Sequence, residues 1–76
     1  MKTMVRAVED DFRALLMCNA MEAVGGRPFS VVYVPAHTTE TGLPMWARWH
    51  VFGQVPNEDA ILAVDEAFDL GSSSRR

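Results

Sequence analysis

The sequence predicts a single small α+β domain in which two helices cover an antiparallel hairpin, in the order helix, strand, strand, helix. The chain has 76 residues, which is enough material for one hydrophobic core but not for two. Apolar residues recur at spacings of three and four near both ends, and two runs rich in β-branched and aromatic residues lie between them. We therefore expect one domain over residues 1–71 and a flexible tail over residues 72–76.

The first helix is predicted from Thr3 to Val24, because the apolar residues of this segment form the stripe of an amphipathic helix. The stripe consists of Met4, Val5, Val8, Phe12, Leu15, Leu16 and Ala23. Gly25 and Gly26 are expected to end the helix, since glycine adopts the left-handed cap conformation without steric cost.

Two strands are predicted in the middle of the chain. Phe29–Val34 is short and β-branched, which indicates a strand buried on both faces, and Met45–Gly53 is the second strand of a hairpin with a long loop. A two-stranded sheet is marginal in water, so we expect a third short strand or a strand of another chain to extend it. A homodimer is the economical form of the second possibility.

The second helix is predicted to begin after Asn57, a good N-cap residue, and to end at Gly71. Its apolar residues should face the sheet; they are Ala60, Ile61, Val64, Ala67 and Phe68.

The composition restricts the class of protein. The chain is 49% hydrophobic and 22% charged, which is typical of a globular domain and excludes a disordered or collagen-like chain. The single cysteine, Cys18, cannot form an internal disulfide, and the acidic N-terminal segment does not fit a signal peptide. We therefore expect a cytoplasmic protein without a membrane segment.

The opposite side of the second helix carries only negative charge. Helical geometry places five carboxylates on one arc, namely Glu58, Asp59, Asp65, Glu66 and Asp69. Leu62 lies in the middle of this arc. The arc is either a solvated helix face or a contact site for a partner with a basic surface, and its charge argues against direct binding of nucleic acid.

The second strand offers another candidate surface. Alternation places Met45, Ala47, Trp49 and Val51 on one face, which we assign to the core. The other face carries Trp46, Arg48, His50 and Phe52. Aromatic residues and arginine are enriched in protein interfaces, which favours a contact site, although Trp46 and Phe52 could instead pack under a helix.

Met17 and Met21 are predicted on the outer side of the first helix, together with Ala14 and Val24. An exposed methionine stripe suggests either a dimer contact or packing against the other helix.

The sequence contains no spacing typical of an active site. His37 and Glu40 share a loop but make no metal site by themselves, and His50 has no carboxylate nearby in sequence. Cys18 has no histidine at helical spacing to activate it. Gly25 and Gly26 follow a helix, so they do not form a phosphate-binding loop. We expect no catalytic activity, no metal and no cofactor.

In size, acidity and build, the whole chain resembles the small acidic anti-CRISPR proteins that bacteriophages and other mobile elements use against CRISPR–Cas complexes. The acidic run from Glu58 to Asp69 and the lack of catalytic residues carry the resemblance. It implies an inhibitor in the host bacterial cytoplasm that binds a Cas subunit or effector complex and excludes target DNA. Its carboxylates would take the place of phosphates, and Leu62 or Trp46 would supply apolar contact. The alternative is a small structural or adaptor subunit that associates with itself or with a larger protein.

Overall fold

The fold is an antiparallel sheet with two helices packed on one of its faces. The computed structural model describes residues 1–73. The strands are β1 (Lys2–Val8), β2 (Arg27–Val34), β3 (His37–Thr38), β4 (Pro44–Met45) and β5 (Arg48–Val55). The helices are α1 (Asp11–Ala23) and α2 (Glu58–Ser73).

The central strand of the sheet is β5. It pairs antiparallel with β1 on one side and with β2 on the other, so the strand order in the described part of the chain is β1-β5-β2. The short strands β3 and β4 pair with each other and lengthen the hairpin formed by β2 and β5. The predicted α+β class, antiparallel hairpin and two helices are confirmed, and β1 is a third strand that extends the hairpin.

The first half of the predicted N-terminal helix is wrong, because residues 2–8 form strand β1. Met4 and Val8 are buried and Val5 is exposed, so this short apolar pattern fits a strand as well as a helix. Seven residues of β1 have register partners on β5, and this tertiary pairing decides between the two structures.

Helix α1 has defined caps at both ends. The backbone N–H of Arg13 donates to the Asp10 carboxylate at 2.7 Å, which is an N-cap interaction. Gly25 has a φ of +85°, and the N–H of Gly26 donates to the carbonyl oxygen of Met21 at 3.0 Å. This is a Schellman motif, and the predicted glycine cap is confirmed.

Strand β2 lies at an edge of the sheet, so its predicted interior position is wrong. Val31, Val32 and Tyr33 are all exposed. The apolar run correctly indicates a strand. It does not indicate the position of that strand in the sheet, where β5 is central and β1 and β2 are the two edges.

The core lies between the sheet and the helices. Its buried residues are Met4, Val8, Ala14, Met17, Ala20, Met21, Val51, Val55 and Val64. Met17 and Met21 are therefore core residues and not the outer stripe predicted as a dimer contact, and Leu15 is exposed in their place. The helical phase was assigned partly from residues 3–8, which belong to a strand, and this inverted the two faces of α1.

Helix α2 begins as predicted and ends later. The N–H of Ala60 donates to the Asn57 side-chain oxygen at 3.0 Å, which confirms the N-cap. Val64 is buried, and Ala60, Ile61 and Phe68 are partly buried against the core, whereas Ala67 is exposed.

The predicted helix end at Gly71 is wrong, since α2 continues to Ser73. Ser72 and Ser73 therefore belong to the helix and not to the predicted tail. The rest of that predicted tail, residues 74–76, lies outside the described residues.

Neither α1 nor α2, the helices of residues 1–73, has the length and the apolar character needed to cross a membrane.

The close approach of α1 to β5 gives the first prediction. A Cβ atom on Gly53 would collide with the Met21 sulfur and lie 2.8 Å from the carbonyl oxygen of Arg27. Gly53→Ala should therefore lower the free energy of unfolding by about 1 to 3 kcal/mol, as overpacking usually does. The measurement is the urea unfolding midpoint.

The matched control is Gly71→Ala. Its Cβ would meet the flexible end of the Leu16 side chain, and alanine favours a helix over glycine. The control should not be destabilised, and an unchanged midpoint for Gly53→Ala would contradict the close packing.

Candidate interaction surfaces

The first candidate surface is the acidic helix face, the side of α2 that does not pack on the core. It contains the six predicted residues Glu58, Asp59, Leu62, Asp65, Glu66 and Asp69. All of them are exposed except Asp65, which is partly buried. Leu62 is 68% exposed and Leu70, on the same side of the helix, is 75% exposed. The predicted arrangement of an apolar residue within carboxylates is therefore present.

Two of the five carboxylates bind cations on β1. Arg6 donates from Nε and Nη2 to the two Asp65 oxygens, each at 2.9 Å, and Lys2 Nζ lies 3.0 Å from Glu58 Oε1. Sequence reasoning missed both pairs because it placed Lys2 and Arg6 in the first helix. The strand assignment brings them to the edge next to α2.

The bidentate pair perturbs the titration of both partners. The pKa of Asp65 lies below its ordinary value, chiefly because Arg6 donates hydrogen bonds to the carboxylate and secondarily because of its charge, while partial burial opposes the shift. The pKa of Arg6 is raised mainly by the same hydrogen bonds. Asp65 thus fixes α2 to β1 and is less available to a partner.

The remaining carboxylates have no cation beside them among residues 1–73. Within residues 1–73, Asp59, Glu66 and Asp69 make no ion pair. Like charges three or four residues apart on a helix destabilise it by a few tenths of a kcal/mol each, and a cationic partner would remove that cost. The available part of the acidic helix face therefore consists of these three acids with Leu62 and Leu70.

The second candidate surface is the outer sheet face, the face of the sheet without helices. Along β5, Val51 and Val55 are buried against the helices, while Arg48, His50 and Phe52 lie on the outer face, as the alternation predicts. Trp49 is partly buried against the core.

The predictions for Met45 and Trp46, which precede β5, need correction. Met45 belongs to β4 and is exposed, so it is not a core residue, and Trp46 lies between β4 and β5 with 82% of its surface exposed. The hairpin leaves the main sheet before Arg48, and the alternation cannot be extended beyond that point.

Planar side chains form a continuous strip along the outer sheet face. The ring centroid of Phe52 lies 6.5 Å from that of Phe29 and 6.3 Å from that of His50. Arg48 Nε donates to His50 Nε2 at 3.1 Å, and Arg48 Nη1 donates to the Trp46 carbonyl oxygen at 3.3 Å. The hydrogen bond to Nε2 requires a neutral imidazole with its proton on Nδ1.

Phe29 was not among the predicted site residues. It was placed in a buried strand, but it lies at an irregularity between Pro28 and Ser30, where β2 has one residue more than β5. This bulge turns the Phe29 ring to the outer face beside Phe52, and the ring is 59% exposed. Pro28 is a sequence signal compatible with such a bulge, because proline within a sheet is confined to edge strands, strand starts and bulges.

Within residues 1–73, the charges that take part in no ion pair differ between the two faces of the molecule, because Lys2, Arg6 and Arg13 on the helix side are all paired with carboxylates. None of β1, β2 and β5 contains an aspartate or glutamate. Arg48 is on the outer sheet face, and the register places the exposed Arg27 opposite Gln54 on the same face. The helices carry seven of the ten acidic residues of the chain, namely Asp11, Glu22, Glu58, Asp59, Asp65, Glu66 and Asp69.

An open groove of about 580 Å³ adjoins the Arg48 end of this face. It is lined by Ala7, Val8, Glu9, Met45, Trp46, Ala47 and Arg48. Its walls combine the exposed Trp46 indole with one cation and one carboxylate.

The residues considered for catalysis lie apart from one another. His37 is on the distal hairpin, where its Nδ1 lies 3.1 Å from the Pro35 carbonyl oxygen. The pKa of Cys18 is raised, first by burial and then by the charge of Glu22, which disfavours the thiolate. In the described part of the chain, no group of three His, Cys, Asp or Glu side chains is arranged to hold a metal ion.

The Arg6–Asp65 pair gives the second prediction. Because the folded pKa of Asp65 lies below the unfolded value of about 3.9, the pair stabilises the fold above that pH, and the contribution is lost as the pH falls through the folded pKa. Asp65→Asn should lower the free energy of unfolding at pH 7 by about 0.5 to 1 kcal/mol, since the pair is partly exposed.

The test is urea unfolding of both proteins near neutral pH and below the folded pKa. The difference between them should disappear at the acidic pH. Glu58→Gln is the control, because its pair with Lys2 is more exposed and should contribute less. A difference that is equal at both pH values would show that the charge of Asp65 is not responsible.

Comparisons of the chain with protein-family models, with curated proteins and with solved structures found no match. The acidic helix face and the outer sheet face are therefore the features from which a function can be inferred.

Proposed function

We propose that the protein is a non-catalytic inhibitor that binds a basic surface of a nucleic-acid-handling protein complex through the acidic helix face. The partner that the resemblance implies is a CRISPR–Cas effector complex, whose access to target DNA would be blocked. The observation that carries the proposal is the exposure of Leu62 among Asp59, Glu66 and Asp69, which have no cation within residues 1–73.

The chemistry of this face suits a protein groove that ordinarily holds phosphates. A carboxylate accepts charge-assisted hydrogen bonds from arginine or lysine in the same way as a phosphate oxygen. Charge pairs of this kind increase the association rate and fix the orientation, whereas apolar anchors supply much of the binding energy. Leu62 and Leu70 would be these anchors, since both are largely exposed.

The pairs with β1 divide the face into two parts. Glu58 and Asp65 stabilise the position of α2 against Lys2 and Arg6. Glu66 and Asp69 are exposed, belong to no ion pair in the described residues, and lie beyond Asp65 along the helix. They are therefore the acids whose replacement tests binding with the least effect on folding.

The third prediction concerns the double variant Glu66→Lys, Asp69→Lys. It should weaken inhibition of a purified effector complex strongly, because two attractive contacts become repulsive. The measurement is target-DNA binding by the effector complex at increasing inhibitor concentration, repeated at low and high salt. Circular dichroism should show an unchanged fold, since both positions are exposed.

The matched control is Glu22→Lys, Glu40→Lys, which makes the same change in net charge at exposed positions outside α2. This control should inhibit like the original protein. Full inhibition by the Glu66, Asp69 variant would contradict the role of the acidic helix face and leave Trp46 and Phe52 as the contact.

A second candidate function is that of a small adaptor subunit that associates with itself. It is favoured by the free edge of β1, which has no partner strand in the described residues and contains no proline and no bulge. The other edge is protected, since β2 contains Pro28 and a bulge. Two copies of β1 could pair antiparallel to join the sheets.

The fourth prediction tests this alternative. An adaptor of this kind should be a dimer at micromolar concentration, and its association should change little with salt because backbone hydrogen bonds and apolar contacts hold it. Light scattering at low and high salt measures both properties. A stable monomer would contradict self-association through β1.

A further inference from the structure

We infer that the outer sheet face binds single-stranded nucleic acid, with unpaired bases stacked on Phe29 and Phe52 and the phosphate backbone held by Arg48 and Arg27. This activity is separate from the proposed inhibitor function, which uses the opposite side of the molecule. It rests on the strip of planar side chains, on the charge of the face and on the position of α1 and α2, which both pack on the other face of the sheet.

The strip has the form of a stacking platform. The Phe29 and Phe52 rings are adjacent at 6.5 Å, and His50 continues the row at 6.3 Å from Phe52. Every base presents a flat π-face, so aromatic residues on an open sheet bind unpaired bases with little sequence preference. Phe29 is 59% exposed although a phenylalanine of a small domain ordinarily buries its ring. Stacking a base on this ring would remove it from water.

The charge of the face complements a polynucleotide. The outer sheet face carries Arg27 and Arg48, and no strand of the sheet contains a carboxylate. The guanidinium of Arg48 is already oriented by His50 and by the Trp46 carbonyl oxygen, so less rotamer entropy is lost when it binds a phosphate. Glu9 directly follows β1 and is the acidic residue of the adjoining groove, which Arg48 also lines.

The net charge of −3 does not prevent this binding. The carboxylates of α2 lie on the other layer of a molecule that measures 17 Å along its shortest axis. This thickness is about twice the Debye length of roughly 8 Å at physiological ionic strength, so solvent screens those charges from a ligand on the sheet. The expectation that nucleic acid would be repelled applies to the acidic helix face and not to the outer sheet face.

Two other occupants fit the face less well. A duplex hides the flat faces of its bases inside the stack and offers nothing to Phe29 and Phe52. A second copy packed sheet against sheet would bring two basic faces together, because the strands of the sheet contain arginines on this face and no carboxylate. A single strand supplies both the flat groups and the negative charge.

The groove extends the platform in one direction. Trp46 is 82% exposed at its wall, and Arg48 belongs both to the groove and to the strip. A single-stranded nucleic acid that runs along β5 from Phe29 would therefore pass Phe52 and then reach the Trp46 indole at the groove. Binding should accordingly strengthen as the oligonucleotide becomes long enough to reach Trp46.

The test uses fluorescence anisotropy with labelled oligo(dT), oligo(U) and a DNA duplex of equal length at physiological ionic strength and at higher salt. We expect binding of one or both single strands and much weaker binding of the duplex. Phe29→Ala should weaken single-strand binding on the order of tenfold, the usual loss for one stacked base. Arg48→Gln should also weaken binding and reduce its dependence on salt. Binding of DNA, of RNA or of both identifies the natural form of the ligand.

The matched control is Leu15→Ala, which truncates an apolar side chain of nearly equal exposure (58%) on the helix layer. It should bind like the original protein, and Phe29→Ala should still inhibit the effector complex if the acidic helix face is the contact, so the two proposals fail independently. The inference is overturned if neither single strand binds, if the duplex binds as tightly, or if Phe29→Ala has no more effect than Leu15→Ala. Dimerisation through the outer sheet face, lost in Phe29→Ala without any oligonucleotide binding, would also overturn it.

Discussion

The pairing of β1 with the free edge of β5 is the interaction on which the rest of this molecule depends. It makes β5 a central strand, with register partners on both sides. It also places Met4 and Val8 in the core and brings Lys2 and Arg6 to α2. Without β1 the hairpin would be a two-stranded ribbon, which is only marginally stable in water. The acidic helix face would then lose the ion pairs of Glu58 and Asp65 with β1.

The local features of this fold are readable in the sequence, and the long-range ones are not. Asn57 and Gly25 mark helix ends because their side-chain chemistry acts on the nearest backbone groups. The first eight residues contain an apolar pattern too short to separate a strand from a helix. Their structure depends on β5, more than forty positions away in the register. The wrong phase of Met17 and Met21 follows from that one ambiguity.

The candidate surfaces divide in the same way. The arc of α2 and the alternation of Arg48, His50 and Phe52 depend on the period of a single element, so the sequence was sufficient to place them. The ion pairs of Glu58 and Asp65 join elements far apart in the chain, so no local sequence pattern predicts them. Phe29 reached the outer sheet face through a bulge, which shifts side-chain direction by one residue and cannot be read from an apolar run.

Within residues 1–73, carboxylates outside ion pairs lie on the helix side and the guanidinium groups of Arg27 and Arg48 lie on the outer sheet face, which affects how the molecule approaches a charged surface. Opposite charges outside ion pairs on the two faces of residues 1–73 give this part of the chain an electric dipole component across the helix and sheet layers. Such a molecule experiences a torque in the field of any highly charged assembly before contact is made. The molecule would therefore be oriented before contact, with its helices toward a cationic surface or its outer sheet face toward an anionic one.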